Sequence, residues 1–132
     1  MWCNFKKAVE LYQSGLSMKE VANRLVELCR KGQIQQAQEE LYGKTMVSIE
    51  PAGAPVEKAV GIDAVVEKGK QFASMIEERH GLSITDPVVT GNHFSMGMTL
   101  DATMKGRGRV LLEEICVYKV ENGKIAYEQF VY

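Results

Sequence analysis

The sequence from residue 120 to residue 132, VENGKIAYEQFVY, decides the fold of this chain. Its Asn122-Gly123 pair is the strongest short signal for a two-residue β-hairpin, because a type I′ turn needs a positive φ angle at both central positions. The run after the turn is predicted to be a strand. Side chains alternate between the two faces of a strand. One face therefore carries Ala126, Glu128, Phe130 and Tyr132, which places a carboxylate among aromatic side chains.

The residues before this hairpin predict an antiparallel meander. Residues 110–120 form a long strand, one face of which carries Leu112, Glu114, Cys116 and Tyr118. Residues 94–103 alternate apolar and polar side chains, which is typical of a half-buried strand, and residues 105–108 turn the chain between the two strands. Residues 83–89 predict a further strand, placed at an edge or a bulge because Pro87 cannot donate to the ladder.

Helical periodicity dominates the first half of the chain. Residues 17–20, SMKE, have the capping-box pattern, and the helix that they start is predicted to end at residues 30–32, RKG. A shorter helix over residues 34–41 precedes a strand over residues 45–50. The clearest apolar helical stripe begins at Ile62, and a basic turn followed by glycine predicts that this helix closes with Arg79, His80 and Gly81.

The order of elements predicts an α+β fold rather than alternating βαβ units. We expect a curved antiparallel or mixed sheet wrapped around three to four helices. The length of 132 residues is that of one domain, which we place at residues 18–132. Residues 1–17 are predicted to be an amphipathic helical extension. Either this extension is genuine and covers a pocket mouth or a dimer surface, or the protein starts at Met18.

Composition argues against several classes of function. The net charge of −1 provides no electrostatic reason to expect nucleic acid or an anionic membrane as a partner. Cys3, Cys29 and Cys116 lack the spacing of metal ligands and are expected to be reduced thiols in the cytoplasm. His80 and His93 are isolated, so no metal is expected. The sequence contains no phosphate-binding loop or dinucleotide fingerprint, so no cofactor is expected either.

Four stretches carry a family resemblance: the helix over residues 21–31, ELYGKTMVSIEP at 40–51, GIDAVVEKGKQF at 61–72 and EEICVYKVENGKIAYEQFVY at 113–132. With the strand order, they resemble the SnoaL-like group of the nuclear-transport-factor-like superfamily. The resemblance covers about residues 18–132 and rests on the ensemble rather than on one diagnostic motif. It implies a cone-shaped fold, a homodimer formed through the outer sheet face, and a deep pocket between sheet and helices.

Enzymes of this superfamily include polyketide cyclases, ketosteroid isomerase and limonene epoxide hydrolase, which the resemblance links to a carboxylate base in an apolar pocket. Burial raises the pKa of a carboxyl group, so one carboxyl can act as a base near pH 7 and another as a neutral donor. Strand parity predicts that Glu114 and Glu128 point inward, because Lys119 would be unfavourable in a core. The candidate catalytic residues are Glu128, Glu114 and Glu50, the last at the position where ketosteroid-isomerase-like members have their base.

The predicted ligand-binding residues are the aromatic and methionine side chains expected to point inward, namely Tyr118, Phe130, Tyr132, Met96 and Phe72. The resemblance implies a small apolar ligand, polyketide-like or steroid-like, with isomerase or cyclase chemistry open to it. The Asp-Arg-Asp arrangement of the epoxide hydrolase group has no residue-by-residue match, which argues against epoxide hydrolysis. Asp101 is instead expected to pair with Arg107 or Arg109.

An alternative hypothesis is a non-catalytic dimeric module whose cone is filled by its own side chains. This hypothesis predicts that the carboxylates are paired at the rim and that the cavity is plugged by Met96, Met98, Phe72 and Phe130. A third hypothesis, a protein-interaction adaptor, requires an exposed apolar patch beyond the dimer face. The scaffold hosts many functions, so the fold alone does not choose among the three.

Overall fold

The structure, a computed structural model, describes residues 16–132. The amphipathic segment predicted before residue 16 lies outside the described residues. In chain order the elements are α1 (Met18–Arg30), α2 (Ile34–Leu41), β1 (Tyr42–Ile49), β2 (Lys58–Val60), α3 (Ile62–Ser74), β3 (Ile76–Ile84), β4 (Val88–Thr90), β5 (His93–Met104), β6 (Gly108–Glu121) and β7 (Lys124–Val131). The predicted α+β class is confirmed.

The strands form one mixed sheet in the order β2-β1-β7-β6-β5-β3, and β4 pairs with β5. The β1–β7 pair is parallel, whereas the other pairs are antiparallel. The parallel pair aligns Ser48 with Glu128, which are far apart in sequence. The start of the sheet and its last strand therefore supply neighbouring side chains.

The β6–β7 hairpin has the turn that its sequence predicts. The φ angles of Asn122 and Gly123 are 52° and 75°. A bulge follows: Lys119 pairs with Tyr127 and Val120 pairs with Ile125, which leaves Ala126 as the extra residue on β7. The sequence predicts Ala126 on the same strand face as Glu128. The bulge interrupts the alternation of side chains between the two faces, so Ile125 rather than Ala126 is buried.

Helix α1 provides most of the helical contribution to the core. The side chain of Ser17 accepts a hydrogen bond of 3.2 Å from the Glu20 backbone N–H, as the capping box predicts. Gly32 has a φ of 70°, which suits the turn after the helix. The main hydrophobic cluster joins the apolar face of α1 to β5 and β6 and includes Val21, Leu25, Leu28, Cys29, Phe94, Met96, Cys116 and Tyr118.

The structure corrects the predicted end of the long helix. Helix α3 ends at Ser74, and the next strand starts at Ile76, so Arg79, His80 and Gly81 lie in β3. The carbonyl of Met75 accepts a 2.8 Å hydrogen bond from the Lys105 backbone N–H, a tertiary contact that ends the helix early. His80 is therefore not at a helix C-terminus, and its Nε2 lies 2.7 Å from Oγ1 of Thr103.

A second correction concerns the strand predicted over residues 83–89. Strand β3 ends at Ile84, β4 starts at Val88, and Pro87 lies between them. Both strands pair with β5, so the proline divides one predicted strand into two. The expected pairing of Asp101 is confirmed, since Arg109 donates two hydrogen bonds to its carboxylate. Within residues 16–132, the helices are all too short or too polar to cross a membrane.

Candidate functional site

Three carboxyl groups and one ammonium group meet where β1, β6, β7 and α3 converge. Glu50 follows β1 directly, Glu114 lies on β6, Glu128 lies on β7, and Lys68 extends from α3. The pKa of Glu114 is influenced by the charges of all three others, so the four groups form one electrostatic unit. The structure thus brings together the three carboxylates that the sequence predicts as catalytic.

Glu128 is the most deeply buried member of this acid cluster, with 3% of its surface exposed. The hydroxyl of Tyr42 donates a 2.5 Å hydrogen bond to its Oε2. Burial raises the pKa of Glu128, and hydrogen bonding from Tyr42 and Ser48 together with the charge of Lys68 offsets part of that rise. A buried carboxyl with these partners is well fixed in position but poorly accessible to a ligand.

Glu114 is half-buried, and its acid–base behaviour is different. Burial raises its pKa to about 7, and the negative charge of Glu50 adds to the rise. The thiol of Cys116, whose Sγ lies 3.6 Å from Oε1 of Glu114, and the charge of Lys68 oppose it. Both protonation states of Glu114 are therefore populated near neutral pH, which is the property required of a general acid–base group.

Lys68 connects α3 to the sheet. Its Nζ donates hydrogen bonds to Oγ of Ser48 at 2.5 Å and to Oε1 of Glu50 at 3.0 Å. The same atom lies 4.9 Å from the centroid of the Phe130 ring, within the range of a cation–π contact. The Lys68 side chain is 14% exposed, so this ion pair is mostly shielded from water.

Sequence reasoning missed Lys68, Tyr42 and Ser48. A signal for Lys68 exists, because it lies three residues after Val65 and four before Phe72, on the side of the helix that carries the apolar stripe. A charged side chain on such a stripe indicates a buried partner. Tyr42 and Ser48 have no comparable local signal, since their role depends on the parallel pairing of β1 with β7.

The predicted ligand-binding residues fall into two groups. Tyr118 and Met96 are buried in the main core, where the Tyr118 ring stacks on Phe94 with centroids 4.8 Å apart. Phe130 and Tyr132 lie beside the acid cluster, Phe130 under Lys68 and Tyr132 close to Glu50 and Glu114.

Two of these aromatic side chains are less enclosed than the sequence predicts. Tyr132 is 65% exposed, so the acid cluster opens to solvent at this residue. Phe72 is 44% exposed on α3, whose buried residue is Val65. The apolar stripe of α3 is therefore mostly uncovered in the single chain.

Two open cavities indent the surface of the described residues. One, of about 280 Å³, is lined by Glu114 together with Met98, Glu113, Ile115 and Val131 among others. The other, of about 470 Å³, lies between α1 and α2, where Arg24 and Glu40 contribute to its wall. The first cavity is on the sheet face that carries Glu113, Ile115 and Val131, whereas the side chain of Glu114 belongs to the opposite face, with Cys116.

The remaining reactive side chains do not suggest a nucleophile or a metal centre. Burial raises the pKa of the Cys29 thiol to about 12 and raises that of Cys116 still further, so both thiols are protonated near pH 7 and weakly nucleophilic. Within residues 16–132, no group of three His, Cys, Asp or Glu side chains is placed to hold a metal ion.

Comparison with known proteins assigns this chain to a family. The model of the SnoaL-like domain matches residues 16–132, which is most of the chain. The chain belongs to the SnoaL-like domain family. No curated protein matches it.

Solved structures support the same assignment. A candidate SnoaL-like polyketide cyclase from Mesorhizobium loti is 31% identical with a TM-score of 0.83, and the match covers 89% of this chain and 100% of the other. An NTF2-like protein of unknown function from Burkholderia pseudomallei is 16% identical with a TM-score of 0.73, covering 89% and 92%. A candidate polyketide cyclase from Pseudomonas putida is 14% identical with a TM-score of 0.66, also covering 89% and 92%. The last two show the fold alone, and the family resemblance seen in the sequence is confirmed.

Proposed function

We propose that this protein binds a small apolar, polyketide-like or steroid-like molecule and catalyses proton transfer on it, with Glu114 as the general acid–base group. The observation that carries the proposal is the position of Glu114: a half-buried carboxyl with a pKa of about 7, beside Glu50 and Glu128, in a cluster that opens to solvent at Tyr132. A base whose pKa matches the working pH is the most effective one.

The chemistry that this arrangement supports is an isomerase-like or cyclase-like reaction. The ionised Glu114 carboxylate removes a proton from a carbon next to a carbonyl group. The electron pair of the C–H bond forms a carbon–carbon double bond, and the π pair of the carbonyl moves to its oxygen, which gives an enolate. The protonated Glu114 then returns the proton at another carbon, which completes an isomerisation. The apolar surroundings of Phe130 and Met98 suit a substrate with a small polar part.

Membership of the SnoaL-like domain family supports this class of chemistry. The similar proteins from Mesorhizobium loti and Pseudomonas putida are both candidate polyketide cyclases. We also propose a cytoplasmic location, which is supported by the free, buried thiols of Cys29 and Cys116, a state expected in a reducing compartment.

The direct test is hydrogen–deuterium exchange at carbon. Cyclic enones and β-diketones of one to four rings are incubated with the protein in D₂O, and deuterium incorporation is followed by NMR. The wild-type protein is expected to accelerate exchange of at least one compound, with a rate that rises through about pH 7. Glu114→Gln is expected to lower that rate at least 100-fold, a typical contribution of a general base.

Glu121→Gln is the matched control, because Glu121 is exposed at the end of β6 and lines neither cavity. It is expected to retain the wild-type rate. Exchange that is unaffected by Glu114→Gln, or absent with every compound, contradicts the proposal.

The packing of the sheet against α1 favours a second candidate, the non-catalytic module. Phe94, Met96 and Tyr118 fill this part of the fold with their own side chains, as that hypothesis predicts for Met96. Phe72 does not support it, because this side chain is 44% exposed in the single chain. A non-catalytic module is expected to show no change in its methionine methyl NMR signals when the same compounds are added.

A further inference from the structure

We propose that Lys68 is the positioning residue of this site: its ammonium group acts through Ser48 and Glu50 to hold Glu128 as a fixed hydrogen-bond acceptor and leaves Glu114 as the carboxyl that exchanges a proton. The functional part of this inference rests on the role proposed above for Glu114. The positioning itself can be measured without a substrate.

The first step of the argument is the direction of the hydrogen bonds. A lysine ammonium has three donors and no acceptor, so in the 2.5 Å contact Lys68 donates and Ser48 accepts. The single hydroxyl proton of Ser48 is then left for another partner. Ser48 is fully buried and aligned with Glu128 across the β1–β7 pair, and hydrogen bonding from its hydroxyl lowers the pKa of Glu128.

The second step concerns the hydrogen bonds that Glu128 accepts. Tyr42 donates to Oε2 of Glu128, and Ser48 is the pair partner of Glu128 in the β1–β7 ladder. Because Lys68 donates to Oγ of Ser48, the hydroxyl proton of Ser48 points away from Lys68 and is available to the Glu128 carboxylate. A carboxyl held in this way has its oxygen atoms committed to the protein and is not free to take a proton from a ligand.

The third step is charge. Lys68 forms an ion pair with Glu50 at 3.0 Å, and both side chains are largely buried. The charge of Glu50 raises the pKa of Glu114, and that of Lys68 lowers it. The hydrogen-bond partners of Nζ in this cluster are Ser48 and Glu50. Lys68 thus acts on Glu114 at a distance, by offsetting the charge of Glu50.

The other titratable groups that face the cluster keep one charge state near neutral pH. Burial raises the pKa of Tyr42 on β1 and Tyr118 on β6 well above the usual value, and raises that of Cys29 on α1 to about 12. The pKa values of Cys116 on β6 and Tyr132 after β7 are raised as well. These five groups stay neutral, so the charge of the site is set by the carboxyl groups and Lys68.

The experiment is an NMR titration of the carboxyl carbons in uniformly ¹³C-labelled protein, with the Glu114 and Glu128 signals assigned through Glu→Gln variants. Lys68→Met removes the charge and keeps the length of the apolar stem. It is expected to raise the pKa of Glu114 by about one unit, the usual size of the effect of a nearby charge. Lys70→Met is the matched control, because Lys70 is exposed on the same helix, and it is expected to leave the pKa unchanged.

A second variant, Ser48→Ala, keeps the charge of Lys68 and removes the hydroxyl that connects it to Glu128. It is expected to raise the pKa of Glu128 more than that of Glu114. Ser48→Ala also tests the positioning role of Lys68 if Lys68→Met does not fold. An unchanged pKa of Glu114 in Lys68→Met, or of Glu128 in Ser48→Ala, overturns the inference.

Failure of the inference and failure of the proposed function give different results. If the pKa values shift as expected but the wild-type protein exchanges no deuterium into any compound, Lys68 positions the cluster and the proposed catalysis is wrong. If exchange depends on Glu114 while the pKa values do not respond to Lys68, the catalysis stands and the positioning role is wrong.

Discussion

The hydroxyl of Tyr42 donates a 2.5 Å hydrogen bond to Oε2 of Glu128, a residue 86 positions further along the chain. The Tyr42→Phe variant removes this donor from a buried carboxyl. We expect the free energy of unfolding at pH 8 to fall by about 1–3 kcal/mol, the cost of leaving a buried polar group without a partner. The pKa of Glu128 is expected to rise, because the lost hydrogen bond stabilises the ionised form. Urea unfolding and carboxyl NMR measure the two effects.

The control for this variant is Tyr127→Phe, which removes a hydroxyl that donates to Oε1 of Gln129 at 3.0 Å. Gln129 is half-buried and uncharged, so we expect a loss below about 1 kcal/mol. Equal losses in the two variants contradict a special role for the Tyr42–Glu128 pair.

The raised pKa of Glu114 predicts how stability depends on pH. The folded value of about 7 lies above the unfolded value of 4.5, so between these pH values the folded state binds more protons than the unfolded state. Stability contributed by this group therefore falls as pH rises from about 4.5 to 7 and stays low above 7. Glu114→Gln removes the decline, because an amide does not titrate.

Between pH 5 and pH 8, we expect the wild type to lose about 1–2 kcal/mol of unfolding free energy relative to Glu114→Gln. This range allows for screening by solvent at a half-buried site. Urea unfolding at the two pH values measures this loss. The exposed Glu121→Gln control is expected to follow the wild type at both. A pH profile of Glu114→Gln that parallels the wild type contradicts the raised pKa.

We propose that the protein forms a homodimer through the outer face of the sheet. Leu111, Ile115 and Val131 are exposed on β6 and β7, which gives this face an apolar surface in the single chain. Light scattering at micromolar concentration is expected to give twice the chain mass of 14.7 kDa. Ile115→Lys is expected to weaken the dimer at least tenfold, because it places a charge in an apolar contact.

Ile34→Lys is the matched control for the dimer, since Ile34 is 42% exposed on α2, which is not part of the sheet. It is expected to keep the dimeric mass. A monomeric wild type, or a dimer unaffected by Ile115→Lys, rules out this interface.

Local chemistry determines which parts of the fold could be predicted from the sequence. The Asn122-Gly123 turn and the Ser17 cap depend on a few adjacent residues, and both are found as predicted. The end of α3 could not be predicted, because Ile76 continues the helical spacing of Val65 and Phe72. Its true end depends on Lys105, a distant residue that binds the carbonyl of Met75.

The same distinction applies to the site. Strand parity and the family resemblance identified Glu50, Glu114 and Glu128, because a carboxylate on an apolar strand face is visible in the sequence. They did not reveal that Glu128 is held by Tyr42 or that Lys68 crosses to Ser48. Those contacts require the register of a parallel strand pair and the position of α3 over the sheet, which no local pattern contains.

The parallel pairing of β1 with β7 has a consequence for the newly made chain. During translation β1 leaves the ribosome many residues before β7. Until β7 follows, Tyr42 and Ser48 are without their partner Glu128, and one edge of β1 has no strand beside it. An unpaired edge can bind strands of other chains, and such intermediates are prone to aggregate. Closure of the sheet by β7 therefore protects that edge and completes the acid cluster in the same event.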